Sequence, residues 1–410
     1  MELVKNIYLR SYLLIMALYV FLNKGVAYTY FAEALLIIGI VILILSRKQF
    51  VLFVDKRVKI LFFLLGINFL YILFGIIRYP IFDVVRDSFI FNYAWFIFIL
   101  FLFKEQMDFI WRGLYFIYQW FPIVALINFI LQYYVPFFES IAPFGGIPIL
   151  LYKNGDMGVH LFISLILYLL DTEKYTKSWG IFFLVITTLN FLILSSYSRS
   201  GMLSFILSLG LFIVFNKEAA LKDRTKKILK FIPWVLLIVL PIYVNLKVEE
   251  NFQGRAVGIE QIVNNFGSIL GASTDATSEN NVVWRLVWWA KIINYSFTPS
   301  NMFIGKGLGI NLAISDDIIT TDDSLRSPHN FHLNIMARYG VIVFIVWIYW
   351  LNLLFKPLFK RKLTGKALAI TCILFAFILN ASFDVFLEGP MGAFPFWTWV
   401  GLLFINEVRN

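Results

Sequence analysis

The fold class this sequence predicts is an all-α polytopic membrane protein, and three observations predict it. The chain is 60% hydrophobic and 15% charged, with mean hydropathy +0.80. Apolar stretches of spanning length recur along it, and short basic runs separate them. With about 20 residues per crossing, 410 residues hold roughly a dozen spans and one loop domain. The formal charge of +10 does not indicate nucleic acid, because the basic residues fall between apolar segments, as membrane orientation requires. The single cysteine, Cys372, lies inside an apolar segment, which excludes disulfides and thiolate metal sites.

Taken in order, the first apolar segment runs from Ile7 to Leu22 and lacks a small-residue cleavage site, so it reads as a retained span rather than a removed signal. Ala27–Ser46 follows and exits to Arg47, Lys48, Lys56 and Arg57, a basic loop assigned to the cytoplasm. Val58–Ile77, Phe89–Phe103 and Phe109–Val135 are the next three spans. The Pro- and Gly-rich stretch from Pro136 to Asp156 is an outer loop. Met157–Leu170, Trp179–Ser196, Gly201–Asn216 and Ile228–Leu246 complete nine spans, with the most basic loop, Lys217 to Lys230, between the last two.

The long polar interval Lys247 to Asn334 comes next, and three more spans follow: Ile335–Phe355, Ala367–Ser382 and Met391–Asn406. The organisation is therefore residues 1–246 with spans one to nine, an extracytoplasmic loop over 247–334 with short helices, and residues 335–410 with spans ten to twelve. Short loops assigned inside carry about 20 Lys and Arg, against about five outside. That asymmetry places both termini in the cytoplasm. It also puts Arg199, the long interval, the 78–88 loop and Phe383–Pro390 on one outer face.

Arg199 sits in Ser198-Arg199-Ser200-Gly201, where an arginine bordered by hydroxyls and a permissive glycine can clamp phosphate oxygens; the alternative is an interfacial snorkelling arginine. From Trp284 a helical pattern places Trp284, Val287, Trp288, Ile292 and Tyr295 on one apolar face, as in a helix lying on the bilayer interface. Arg285 and Trp289, four apart, form either an exposed cation–π pair or the setting of a second phosphate-binding guanidinium.

Ser327-Pro328-His329-Asn330 reads as a helix start, with Ser327 as cap, Pro328 first and His329 in the first turn. There the helix dipole favours a neutral imidazole able to accept a proton, although a structural histidine is the competing reading. His332 is its rival, and His160 is a weaker candidate for acceptor binding. Asp316, Asp317, Asp322 and Asp323 read as a solvated acidic loop rather than a divalent-metal site. Gly305-Lys306-Gly307-Leu308-Gly309 lacks the strand and helix context of a nucleotide loop and reads as a turn.

Ser198-Arg199-Ser200-Gly201 at a helix start, Trp284-Arg285 in the long loop, and His329-Asn330 followed by Arg338-Tyr339-Gly340 together resemble the O-antigen ligase and O-antigen polymerase superfamily. The resemblance implies a GT-C-type membrane fold in the bacterial inner membrane. It also implies metal-independent, inverting transfer of a glycan from undecaprenyl diphosphate to a sugar hydroxyl, without a cofactor. His329 would activate the acceptor hydroxyl while Arg199 and Arg285 stabilise the departing diphosphate. Ser198, Asn330, Arg338, His332, His160 and Trp289 are the expected substrate-binding set.

Implied partners are the lipid-linked oligosaccharide, an acceptor glycan or glycolipid, membrane lipids, a chain-length regulator and a flippase. The ligase pattern ends in Gly-x-x-Gly, whereas here Val341, Ile342 and Val343 follow Gly340, which favours a polymerase over a ligase. A flippase or transporter would line a central cavity with its charges, but the ionisable residues here gather at one outer face.

Overall fold

The computed structural model describes residues 2–46, 55–246, 257–269, 276–318, 325–360, 363 and 365–409, without the side chains of 269, 276–282 and 409. Arg47, Lys48, Lys247, Asp322, Asp323, Arg361 and Lys362 lie outside the described residues. The described chain is helical and forms no named strand.

Its helices are α1 (Glu2–Leu22), α2 (Phe31–Leu45), α3 (Lys56–Arg78), α4 (Ile81–Asn92), α5 (Trp95–Phe101), α6 (Met107–Tyr134), α7 (Pro136–Ser140), α8 (Asn154–Leu170) and α9 (Lys177–Tyr197). They continue with α10 (Arg199–Phe215), α11 (Ala219–Asn245), α12 (Ile259–Ile269), α13 (Ala276–Ser296), α14 (Pro299–Ile304), α15 (Leu312–Ser315), α16 (Phe331–Phe359), α17 (Gly365–Ala381) and α18 (Pro390–Arg409).

Every apolar segment read from the sequence is centred on helix, but the helices are not equal. Among the described residues, six stretches are long and apolar enough to cross a membrane: Glu2–Val26, Lys56–Arg78, Lys104–Tyr134, Lys177–Tyr197, Ala219–Asn245 and Phe331–Phe359. The fourth expected span is not straight, because α4 and α5 meet at a bend of 53°. The shorter apolar helices are α2, α8, α10 and α17. At 17 residues α8 rises about 26 Å, short of a hydrocarbon core of about 30 Å.

Position explains the shortness of α8. From Gly155 to Leu167 it is buried on every side, and most of α17 is buried with it, whereas α3 and α11 turn Phe69, Phe74, Trp234 and Leu237 outward. A helix enclosed by other helices meets no lipid and need not match the bilayer. The crossing of α8 with α10 depends on glycine: a methyl on Gly158 would lie 2.2 Å from the Gly201 carbonyl oxygen. That contact brings the N-terminal turns of the two helices together.

The long interval folds into a small lobe. Trp288 and Ile292 of α13 pack with Leu312, Ala313, Leu325 and Ala337, and Trp284 and Tyr295 border them. Val287, expected on that face, points outward instead. Asp316, expected in a solvated loop, is fully buried: it accepts a hydrogen bond from Trp288 Nε1 at 2.6 Å and pairs with Lys306. The lobe has its own core, and the indole and ammonium replace the water that a buried carboxylate loses.

Gly305 to Gly309 is a turn, and it braces α16. Gly340 breaks that helix with φ 84°, and the carbonyls of Ala337 and Arg338 accept from the N–H groups of Lys306 (2.8 Å) and Gly307 (2.9 Å). Tyr71 of α3 donates to the Tyr339 carbonyl at 3.2 Å. The kinked backbone is thus paired by neighbours, as polar groups at membrane depth must be.

The start of α16 differs from the expected one. Asn330 is its cap, accepting from the Leu333 N–H at 3.0 Å, and the helix opens at Phe331, so His329 lies just outside it. His329 has φ 52°, a left-handed conformation incompatible with a helical first turn.

Gly158→Ala is expected to lower stability by about 1–3 kcal/mol through overpacking. Gly210→Ala, with nothing within 4 Å of the added methyl, is expected to be tolerated. Thermal unfolding in detergent separates the two.

Candidate active site at one end of the bundle

Arg199 is the first residue of α10. Ser198, in extended conformation, caps that helix by accepting from the Gly201 N–H at 3.1 Å, and the Arg199 guanidinium donates to Ser268 Oγ of α12 at 2.7 Å. The α12 helix is pinned in turn: the Asn265 amide donates to the Ser195 and Ser196 carbonyls, both at 2.8 Å, satisfying acceptors left open at the end of α9.

Arg285 and His329 are held by the tryptophans of α13. Trp289 Nε1 donates to the Pro328 carbonyl at 2.7 Å and fixes the loop before α16. The His329 ring meets Trp284 edge-on, with centroids 5.8 Å apart. Arg285 lies 5.4 Å over the Trp284 ring, so its aromatic partner is Trp284 and not Trp289. Arg285 donates to the Phe383 carbonyl at 3.3 Å, yet its Nε is buried with no hydrogen-bond partner, and it forms no ion pair among the described residues.

Two residues that the motifs did not single out organise this group. Asp384, in the turn between α17 and α18, pairs with Lys153 at 2.6 Å and lies 3.9 Å from His329 Nδ1. Lys153 precedes α8, whose Asp156 is buried and accepts from Asn23 at 3.1 Å and Asn380 at 3.2 Å. Gly155 is ringed closely: a methyl there would lie 3.2 Å from Ser200 Oγ and 3.4 Å from Asp384 Oδ2. The start of α8, the start of α10 and the α17–α18 turn therefore meet within side-chain reach.

The site gathers Lys153, His329 and two arginines near Asp384, with Asp156 and Glu388 beside Lys153. Burial depresses the Arg285 pKa; Asp384 counteracts this, and the like charge of Arg199 adds to it. Burial alone would raise Asp384, but Lys153 and then His329 hold its carboxyl below the ordinary range. Lys153 is the mirror case, its burial outweighed by Asp384 and Asp156. Nearby Glu388, with a buried and unpartnered Oε1, is raised by burial to about 7.

The other expected residues make these contacts within the fold. Arg338 is buried and bound to Asp87 at 2.6 Å, Asn334 at 2.9 Å and the Ile310 carbonyl at 3.1 Å. His332 Nδ1 accepts from Trp347 Nε1 at 3.1 Å, so in the neutral ring Nε2 carries the proton toward Ser382 Oγ, also 3.1 Å away. His160 is fully buried among Phe121, Phe377 and Phe386, with Tyr118 Oη 3.3 Å from its Nδ1. Ser198, Asn330 and Trp289 hold the backbone that carries Arg199 and His329. An acidic residue in the turn between two apolar segments, Asp384, was the available signal for the missed counter-charge.

Fold and site together define a helical membrane protein with a cationic, histidine-containing centre at one end of its bundle. Residues 181–348 match the family model described as O-antigen ligase, which supports the resemblance to the O-antigen ligase and polymerase superfamily over that part of the chain, and the recurring long apolar helices are those of an integral membrane protein. The match contains Arg199, Arg285 and His329, while Lys153 and Asp384 fall outside it. No curated protein and no solved structure matches the chain.

The raised Glu388 pKa implies a pH-dependent stability. Below its ordinary value of 4.5 the group is protonated both folded and unfolded; above about 7 the folded protein carries a buried charge. Stability is therefore expected to fall as pH rises from 4.5 to 7, and Glu388→Gln to flatten that part of a plot of Tm against pH.

Proposed function

We propose that this chain is a membrane glycosyltransferase that moves an undecaprenyl-diphosphate-linked glycan onto a sugar hydroxyl at the outer face of the inner membrane. The observation that carries the reading is Arg285: a half-buried guanidinium with a buried Nε, beside a second arginine, without an ion-pair carboxylate among the described residues and sharing the Trp284 ring with His329. Such a centre calls for a multiply charged anion, and a diphosphate supplies it. The topology that goes with this reading has twelve spans of GT-C type, both termini in the cytoplasm, and the lobe over the outer face.

In this mechanism the acceptor hydroxyl attacks the anomeric carbon while the bond from that carbon to the diphosphate oxygen breaks on the opposite face, inverting the centre. His329 takes the hydroxyl proton. With Nδ1 turned toward Asp384, Nε2 is the nitrogen assigned to that proton, and Asp384 stabilises the imidazolium that forms. Arg199 and Arg285 stabilise the charge gathering on the departing diphosphate, and in this scheme no metal or cofactor takes part.

Repeat-unit polymerisation is the leading assignment, because Gly340 lacks the second glycine of the ligase pattern. Ligation of glycan onto lipid A-core is the second reading, favoured by the description of the matching family model. Laddered lipid-linked glycan restored to a deletion strain identifies the polymerase; glycan appearing on core lipid identifies the ligase.

Ala substitution of Arg199, Arg285 or His329 is expected to lower transfer by about 100-fold or more each. Full transfer by all three variants, with purified protein and lipid-linked donor, would sink the assignment. EDTA is expected to leave the rate unchanged; a loss that Mg²⁺ restores would overturn the metal-free mechanism.

A further inference from the structure

Lys153 and His329 approach the same atom. The Lys153 ammonium lies 2.6 Å from Asp384 Oδ1, and His329 Nδ1 lies 3.9 Å from that same oxygen. The Val385 N–H also donates to Oδ1, at 2.6 Å, which fixes the oxygen in place. Both side chains extend from anchored backbone. The Lys153 backbone N–H donates to Asn23 Oδ1 at 3.2 Å, and Asn23 also binds Asp156 one turn along α8. His329 is held between Trp284 and the Pro328 carbonyl anchored by Trp289.

We propose that Lys153 is a positioning residue for the catalytic histidine: it occupies Asp384 in a full ion pair and leaves His329 the weaker, longer contact. The inference rests on His329 being the base. An imidazole in a full ion pair with a carboxylate is held as imidazolium and cannot accept the acceptor proton, whereas one with no counter-charge gains nothing when it takes that proton. Sharing one oxygen with Lys153 places His329 between these limits.

The other charged groups of the cluster are Arg285 on α13 and Arg199 on α10, which interact with each other, Asp156 on α8, which interacts with Lys153 and Asp384, and Glu388 in the turn before α18, which interacts with Lys153. Asp384 is the carboxylate that faces the ring, and Lys153 decides how much of it the ring receives.

The test is a pH titration of the full-length chain in lipid nanodiscs with ¹⁵N-labelled histidine. The chain has three histidines, and a His329→Gln variant assigns the His329 signal. Lys153→Met is expected to raise the His329 midpoint by about one pH unit. Asp384→Asn is expected to lower it, and Lys153→Arg to keep it near the wild-type value. An unmoved midpoint in Lys153→Met, with the His160 and His332 signals unchanged, overturns the proposal.

Should Lys153→Met fail to fold, Asp384→Asn decides, and a midpoint that stays or rises overturns the proposal. With lipid-linked donor, the acid limb of the kcat profile is expected to move with the midpoint, which a merely structural lysine would not cause. The titration needs no turnover, so failure of the transferase reading would appear in the transfer assay and leave these midpoints where they are.

Discussion

The site depends on a largely buried carboxylate at the end of an apolar bundle. Asp384 is tolerated there because groups from distant parts of the chain converge on it: the Lys153 ammonium before α8, the His329 ring before α16 and, at longer range, Arg285 of α13. An uncompensated charge in such a place would cost several kcal/mol, and pairing it ties those segments together. The same grouping leaves Arg285 without a carboxylate of its own among the described residues. Two arginines, Lys153 and His329 therefore gather near this carboxylate.

The second constraint is the pairing of backbone where helices are interrupted. The break at Gly340 is supported by N–H groups of the 305–309 turn and by Tyr71, and it admits close backbone approach: a methyl on Gly340 would lie 2.8 Å from the Asn301 and Met302 carbonyl oxygens. Arg338, beside the break, fastens α16 to Asp87 of α4. Through these contacts the lobe is built into the bundle, so the loop carrying His329 has a fixed relation to Arg199. Glycine at 158 and 201 performs the matching task for α8 and α10.

Much of the fold was legible because hydropathy and basic loops are local properties. The apolar segments, the long interval and the gathering of Arg199, Arg285 and His329 at one end of the helices all follow from counting along the chain. The details that required knowledge of neighbours were less accessible. Val287 shares a helical period with Trp288, but the lobe core lies on one side of α13 and leaves Val287 out. Ser327 and Asn330 are both good caps by residue type; the left-handed backbone at His329 selects Asn330. Asp316 reads as solvent-facing until Lys306 and Trp288 are seen around it.

By itself the sequence determined the class of molecule, its helical segments and the residue types available for anion binding and proton transfer. Each of these depends on composition and on spacing within a few turns. The tertiary structure decided which charges meet. Lys153, His329 and Asp384 are separated by 176 and 55 residues along the chain (329 − 153 and 384 − 329), and no local pattern links them. Coulomb interactions and hydrogen bonds act over ångströms in space, so the partner of each charge became visible once the helices were packed.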